Sequence, residues 1–343
     1  MKQLHYVIIG NGSAGNRAAD IIREGDADGR ITLISAEPTP YVVRHELAPF
    51  LVEDRKFELL SVHDPAWYEK RNIRLRLNQP VIRIDSRDSS LLLAHREKIR
   101  YDKVLICSGA AHRIPEYLSH FKHLVTKFSN GKDAILFKQR MREIDHLTIL
   151  GGDCIALQLL TALLPEGKRI TLVMDEYRFW PLEFDRQTKD RLADCLEKKG
   201  IEVIRDDFVT DIEKNGRLVI TTRKGTRIET DEALVCSGMR PNLQYLDDSG
   251  IDMQQGILVN EFLETNLENI WAAGECAQIY YEEIRDYRLS TGYVNAINQG
   301  ELAARNMLGG TEKAVLPALG NVIIEGETFT TYGWKGFSLD ETT

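Results

Sequence analysis

A chain that sets Gly10, Gly12 and Gly15 between an apolar run and a helical pattern has few folds open to it. Tyr6-Val7-Ile8-Ile9 is continuously apolar, as expected of a parallel strand buried on both faces. Ala14, Ala18, Ala19, Ile21 and Ile22 then recur at helical spacing, and Ile31-Thr32-Leu33-Ile34 is a second β-rich run. This is a βαβ unit of about thirty residues. In that setting Gly10 allows the tight turn, Gly12 leaves room for a diphosphate to approach the backbone, and Gly15 lets the helix pack close to the strand. The helix N-terminus at Ser13 and Ala14 then faces the phosphates with free N–H groups and a partial positive charge. An acidic residue should follow the second strand to bind a ribose hydroxyl. Glu37 is the best candidate, with Ser35 and Ala36 as alternatives for that register position.

The pattern returns. Leu147-Thr148-Ile149-Leu150 leads into Gly151-Gly152, then a helix carrying Ile155, Leu159, Ala162 and Leu163, then Ile170-Thr171-Leu172-Val173. Two such openings predict two nucleotide-binding domains in an α/β chain. A second echo agrees: Tyr101 to Gly109 resembles Asp231 to Gly238, each a strand ending in a glycine turn. The residues after each, Ala110 to Pro115 and Met239 to Asn242, read as crossings between domains. The predicted division is 1–112 and 241–312 for the first domain, 113–240 for the second, and 313–343 for a remainder. Pro80 to His95 and Val209 to Glu229 read as inserted antiparallel strands, the latter with Asn215-Gly216 and Lys224-Gly225 turns.

Composition narrows the partners. Across 343 residues the formal net charge is -8, which leaves no electrostatic footprint for nucleic acid. No apolar run approaches the roughly 18 residues of a membrane span, and the N-terminus runs straight into a strand pattern, so the expectation is a cytoplasmic protein. Five cysteines, Cys107, Cys154, Cys195, Cys236 and Cys276, are widely spaced and odd in number. That argues against a disulfide framework, an iron–sulfur cluster or a metal site.

Together the motifs V-I-I-G-N-G-S-A-G, Y-D-K-V-L-I-C-S-G-A, L-V-C-S-G-M-R-P-N, N-I-W-A-A-G-E-C-A and G-Y-V-N-A-I-N-Q-G, in that order, resemble the FAD-dependent pyridine nucleotide-disulfide oxidoreductases, the superfamily of glutathione reductase. The resemblance covers about residues 4–310. It implies two Rossmann-like domains, an FAD domain interrupted by an NAD(P)-type domain, and a third, C-terminal domain of which Leu316 to Phe337 is the beginning and 313–343 a fragment. It places Gly10, Gly12, Ser13, Ala14, Gly15, Glu37, Ser108 and Gly109 at the FAD. Gly274 and Glu275 fall at its ribityl and diphosphate part, with Glu275 replacing the usual Asp. Arg44 falls where close relatives have Tyr-x-Arg near the flavin, and Tyr293 where some have an aromatic beside the isoalloxazine. A core tyrosine is the other reading of Tyr293. Asn295 and Gln299 fall at the start of the helix under the flavin.

Disulfide reductases of this superfamily carry cysteines beside the flavin, and peroxidase-type members carry one. Here that stretch, Tyr41 to Phe50, holds no sulfur, so thiol–disulfide exchange and peroxide attack lack a nucleophile. The pattern is similar to the branch that passes electrons to small carriers, the rubredoxin and ferredoxin reductases. No catalytic side chain is assigned. His45 occupies the vacant cysteine position, either as a proton donor to reduced flavin or as a surface residue.

The second glycine motif departs from the family pattern. Asp153 and Ala156 stand at glycine positions after Gly151, and Gln158 stands where the family has glutamate. A carboxylate ~4 Å from a phosphate repels it by about 4 kcal/mol at an effective dielectric of 20, or ~1000-fold in affinity, unless it rotates into solvent. Asp175 could serve the ribose of NADH, and no arginine stands near a 2′-phosphate before Arg178. Three functions follow as expectations. The first is an FAD-dependent oxidoreductase passing electrons between NADH and a small ferredoxin- or rubredoxin-like carrier. The second is an FAD-binding electron-transfer subunit with a degenerate NAD site, reduced by a protein partner. The third is a non-enzymatic FAD scaffold or redox sensor. Oligomeric state stays open.

Overall fold

The computed structural model describes residues 2–175, 179, 181–317, 321–324, 326–331 and 333–334. Two five-stranded parallel sheets organise it. In the first, spatial order runs Ile270–Ala272, Lys103–Ile106, His5–Ile9, Arg30–Ile34, Ile73–Arg76. In the second it runs Thr126–Lys127, Glu232–Val235, His146–Leu150, Arg169–Met174, Glu202–Arg205. In both, the strand before the glycine turn is central, with the strand after the helix on one side and the strand ending in a second turn on the other.

The duplication extends to side chains. His5 Nε2 meets Thr32 Oγ1 at 2.9 Å and its Nδ1 meets the Arg100 carbonyl at 2.6 Å. His146 repeats this with Thr171 and the Glu229 carbonyl at the same two distances. Asp102 accepts the His5 N–H, and Asp231 accepts the His146 N–H, both at 2.8 Å. Gly10 and Gly151 share left-handed backbone (φ 119° and 103°), and a Cβ on either would lie 2.0 or 2.3 Å from the carbonyl oxygen of Cys107 or Cys236. Only glycine lets the turn pass so close to the neighbouring strand.

Both inserted antiparallel sheets are present: Val81–Asp85, Ser90–Leu93 and Lys98–Arg100 in the first unit, Val209–Asn215, Arg217–Thr222 and Arg227–Thr230 in the second. The two crossings pair with each other, Ala110–His112 antiparallel to Met239–Pro241, so the units are joined by one two-stranded ribbon.

Hydrophobic burial follows this division with two exceptions. One core unites Tyr6 to Cys107 with Leu246 to Ala314. Two more, at Phe128 to Cys236 and around Leu118 and Val209, lie on the two faces of the second sheet. Val42, Leu47, Ala48, Phe50, Leu51 and Leu60, early in the chain, pack into the second unit's core. Chain order therefore hides a segment that braces one unit on the other. Ile324 and Phe329, on the hairpin Asn321–Ile324 and Glu327–Thr330, also enter that core, and Gly333–Trp334 pairs with Leu182–Glu183. The rest of the expected third-domain segment, to Phe337, and Arg178 lie outside the described residues. Among the described residues no helix is long and apolar enough to cross a membrane.

Candidate functional site

The first glycine turn feeds the helix Ser13–Gly25, capped at its N-terminus by Gly12 with no side-chain hydrogen bond. A Cβ at Gly12 would meet nothing within 4 Å, so the face above the first turn is open. A Cβ at Gly15 would lie 2.0 Å from the Gly10 carbonyl oxygen, which is why the helix can start directly under the strand. Beneath the turn, Tyr68 donates to Asn16 Oδ1 at 2.7 Å, and Asn16 Nδ2 donates to Asn11 Oδ1 at 2.8 Å and the Gly12 carbonyl at 3.0 Å. The Asn11 amide nitrogen is buried without a partner. Tyr41, its phenol pushed up to about 12 chiefly by burial, donates to Ser13 Oγ at 3.1 Å.

The last long helix, Tyr293–Met307, closes the other side. Gly300 lets it approach: a Cβ there would lie 2.2 Å from the Ala14 carbonyl oxygen. Gln299 Oε1 accepts the Gly274 N–H at 2.8 Å, and its amide nitrogen donates to Ser290 Oγ. Gly274 in turn faces Ala14, where an added Cβ would come within 3.3 Å of that side chain. Glu275 accepts the Gly292 N–H at 3.3 Å. Burial raises its carboxyl above the ordinary range, against the opposing pull of that N–H and of Arg44. Tyr293 is partly exposed, and His45 meets it edge-on at 5.3 Å.

One cleft therefore gathers Gly10, Gly12, Ser13, Ala14, Gly15, Gly274, Glu275, Tyr293 and Arg44. Ser108 and Gly109 follow the strand Lys103–Ile106 at the same edge, half-buried beside Gly10. The Glu37 carboxylate takes both terminal nitrogens of Arg44, the Oε2 contact at 3.1 Å. The acid and the arginine, assigned to opposite ends of the ligand, form one ion pair at its mouth. Ser35 is spoken for as well, since its hydroxyl accepts the Glu37 N–H at 3.1 Å.

Sequence reasoning missed Tyr41, Asn16, Tyr68 and Gly300. The last had a signal, a glycine inside a helical pattern, which marks close approach of another backbone. An open, uncapped helix N-terminus, a buried amide donor at Asn11 and glycines with open backbone at Gly109 and Gly292 fit a dinucleotide with an extended flavin end.

The second turn fits poorly. Asp153 is 1% exposed and caps the helix Cys154–Leu163: Oδ1 accepts the N–H of Ile155 and of Ala156, each at 3.0 Å, and Oδ2 accepts the Gly238 N–H at 3.0 Å. Rotation into solvent is thus excluded by burial and three hydrogen bonds. Gly151 and Ala156 flank it as expected, and Asp175 lies exposed just after the strand Arg169–Met174. His112, on the joining ribbon, has its side chain fully buried 3.8 Å from Asp153 Oδ2. Cys154 stands at this turn, and its thiol is pushed well up by burial and then by the charges of Asp153 and Glu275. Burial pushes Cys107, Cys236 and Cys276 up as well, so these thiols stay protonated and poorly nucleophilic. Among the described residues no cluster of His, Cys, Asp and Glu could hold a metal ion.

The family model described as pyridine nucleotide-disulphide oxidoreductase matches residues 4–300. The chain belongs to that family. It is 29% identical over 280 residues to the nitrite reductase [NAD(P)H] of Bacillus subtilis, a match that covers 81% of this chain and 35% of that protein. The chain thus spans about a third of the length of that relative. It is also 29% identical over 314 residues to the NADH-rubredoxin oxidoreductase of Clostridium acetobutylicum, covering 90% and 76% of the two chains. Among solved structures, a ferredoxin reductase from Rhodopseudomonas palustris matches with a TM-score of 0.86 at 22% identity, over 92% of this chain and 79% of that one. The fold of these flavoprotein reductases, two Rossmann-like α/β units, is the fold of this chain.

Proposed function

We propose that the protein is an FAD-dependent oxidoreductase that exchanges electrons with a small ferredoxin- or rubredoxin-like carrier protein. The observation that carries the reading is the first cleft: an uncapped Ser13 helix under open glycine backbone, facing the Gly274 turn that Gln299 pins, with only protonated thiols nearby. The chain's residues hold and orient. N–H groups of the Ser13 helix take the diphosphate, the Gly274–Glu275 turn takes the ribityl region, and Tyr293 with His45 borders the flavin end. FAD bound there accepts electrons in pairs or singly, which is what coupling a two-electron donor to a one-electron carrier requires. The rubredoxin reductase relative is named for NADH, so NADH is the donor to test first. A cytoplasmic location belongs to the same proposal, and five free thiols suit a reducing compartment.

A second reading is favoured by Asp153: a flavoprotein subunit whose flavin is reduced by a protein partner. A redox sensor or scaffold is the third. The purified protein's visible spectrum, followed anaerobically with NADH and then with a reduced or oxidised carrier, separates them. Bound flavin with turnover to the carrier supports the proposal. A protein that stays colourless when reconstituted with FAD would sink all three.

A further inference from the structure

The two βαβ units are close copies. The strand registers match, the His–Thr pairs match, and Gly10 and Gly151 bend alike. Two positions after them the copies part. Gly12 leaves its helix N-terminus open, whereas Asp153 fills its own with a carboxylate. That carboxylate accepts the Ile155 and Ala156 N–H groups from the helix and the Gly238 N–H from the facing turn. These are the donors, at the place and of the kind, that a dinucleotide diphosphate would need.

We propose that Asp153 is a resident anion which closes the second dinucleotide site, so that this unit takes no NAD(P)H and the flavin is reduced by a protein donor. This rests on the flavoprotein reading and decides its donor side. Three features make the closure firm. The carboxylate is buried, so solvent does not screen it. Its donors are backbone groups held by the helix and the turn, so they cannot follow a ligand elsewhere. His112, which the joining ribbon Ala110–His112 and Met239–Pro241 carries, lies fully buried 3.8 Å from Asp153 Oδ2. A diphosphate would have to displace the carboxylate from those donors and sit beside its charge, a loss of about 1000-fold in affinity. Two molecules of a reduced one-electron donor protein each lose one electron to one oxidised flavin, which takes two protons from water and gives them back as both electrons pass singly to two molecules of the oxidised acceptor carrier.

The test uses the FAD-loaded full chain. ADP-ribose is titrated by calorimetry, and NADH is added anaerobically while flavin absorbance is followed. The wild type should show no ADP-ribose binding below millimolar concentration and no bleaching by NADH at catalytic timescales. Asp153→Gly should bind ADP-ribose at least 100-fold more tightly and gain bleaching by NADH. Asp153→Asn removes the charge but keeps a capping oxygen, and should fall between the two. Micromolar binding or rapid bleaching in the wild type overturns the proposal, and so does an Asp153→Gly protein that keeps its flavin and thermal midpoint yet gains no affinity. Loss of flavin from the wild type itself would instead strike at the flavoprotein reading.

Discussion

Gln299 reaches across the first cleft to accept the Gly274 N–H at 2.8 Å, tying the Tyr293–Met307 helix to the turn that opposes the Ser13 helix. This bond adds to the close packing of Gly300 on Ala14 in holding the helix beside the turn. Gln299→Leu leaves a buried N–H without an acceptor, a cost of about 1–3 kcal/mol, and should weaken FAD binding by roughly 10- to 100-fold. Dissociation constants from flavin fluorescence quenching check this. Unchanged affinity would mean that the turn holds its shape without the helix.

The two glycines of the first turn should separate folding from binding. At Gly10 a side chain meets the Cys107 carbonyl and a left-handed backbone, so Gly10→Ala should destabilise the fold by about 2–4 kcal/mol. At Gly12 a side chain meets nothing, and an aspartate there caps the Ser13 helix as Asp153 caps its own. Gly12→Asp should therefore leave the apoprotein's thermal midpoint level or higher while FAD affinity falls ~1000-fold. Retained yellow colour in purified Gly12→Asp would contradict the account of both turns.

Acid should loosen the sheets through His5. Burial, with Arg30 close by, pushes its ring down to about 4 from an unfolded value near 6.5, and His146 is lowered in the same way. Between those values the unfolded chain takes up a proton that the folded chain refuses. The stability is complete above about pH 6.5 and is lost as pH falls toward 4. Urea midpoints measured from pH 7 to 4.5 should decline, and less steeply in His5→Gln than in wild type. Parallel slopes would show that His5 is not the group responsible.

No thiol should be needed for turnover. Cys154 opens the helix at the second turn, and its thiol is held protonated. Cys154→Ser should transfer electrons to a carrier at the wild-type rate under saturating donor, in a stopped-flow comparison. A large fall in rate would point to thiol chemistry that the sulfur-free stretch Tyr41 to Phe50 otherwise excludes.

Much of this molecule is local in origin. A continuous apolar run, three spaced glycines and a helical period declare a βαβ unit by themselves, because strand, turn and helix each depend on residues a few positions apart. So the two units, their copy relationship, the inserted hairpins and the first glycine turn were legible in the residues alone, as was the lack of cysteine from Tyr41 to Phe50. What the sequence withheld was direction and partnership across long separations. Glu37 spends its carboxylate on Arg44, Val42 to Leu60 brace the other unit's core, and Gln299 finds a turn 25 residues away. Asp153 is the sharpest case. Its charge could be read from one letter, but whether the carboxylate faced solvent or its own helix depended on burial and on the Gly238 N–H brought to it by a strand some 85 residues later. Side-chain orientation is a matter of which donors the folded chain delivers, and only the tertiary structure delivers them.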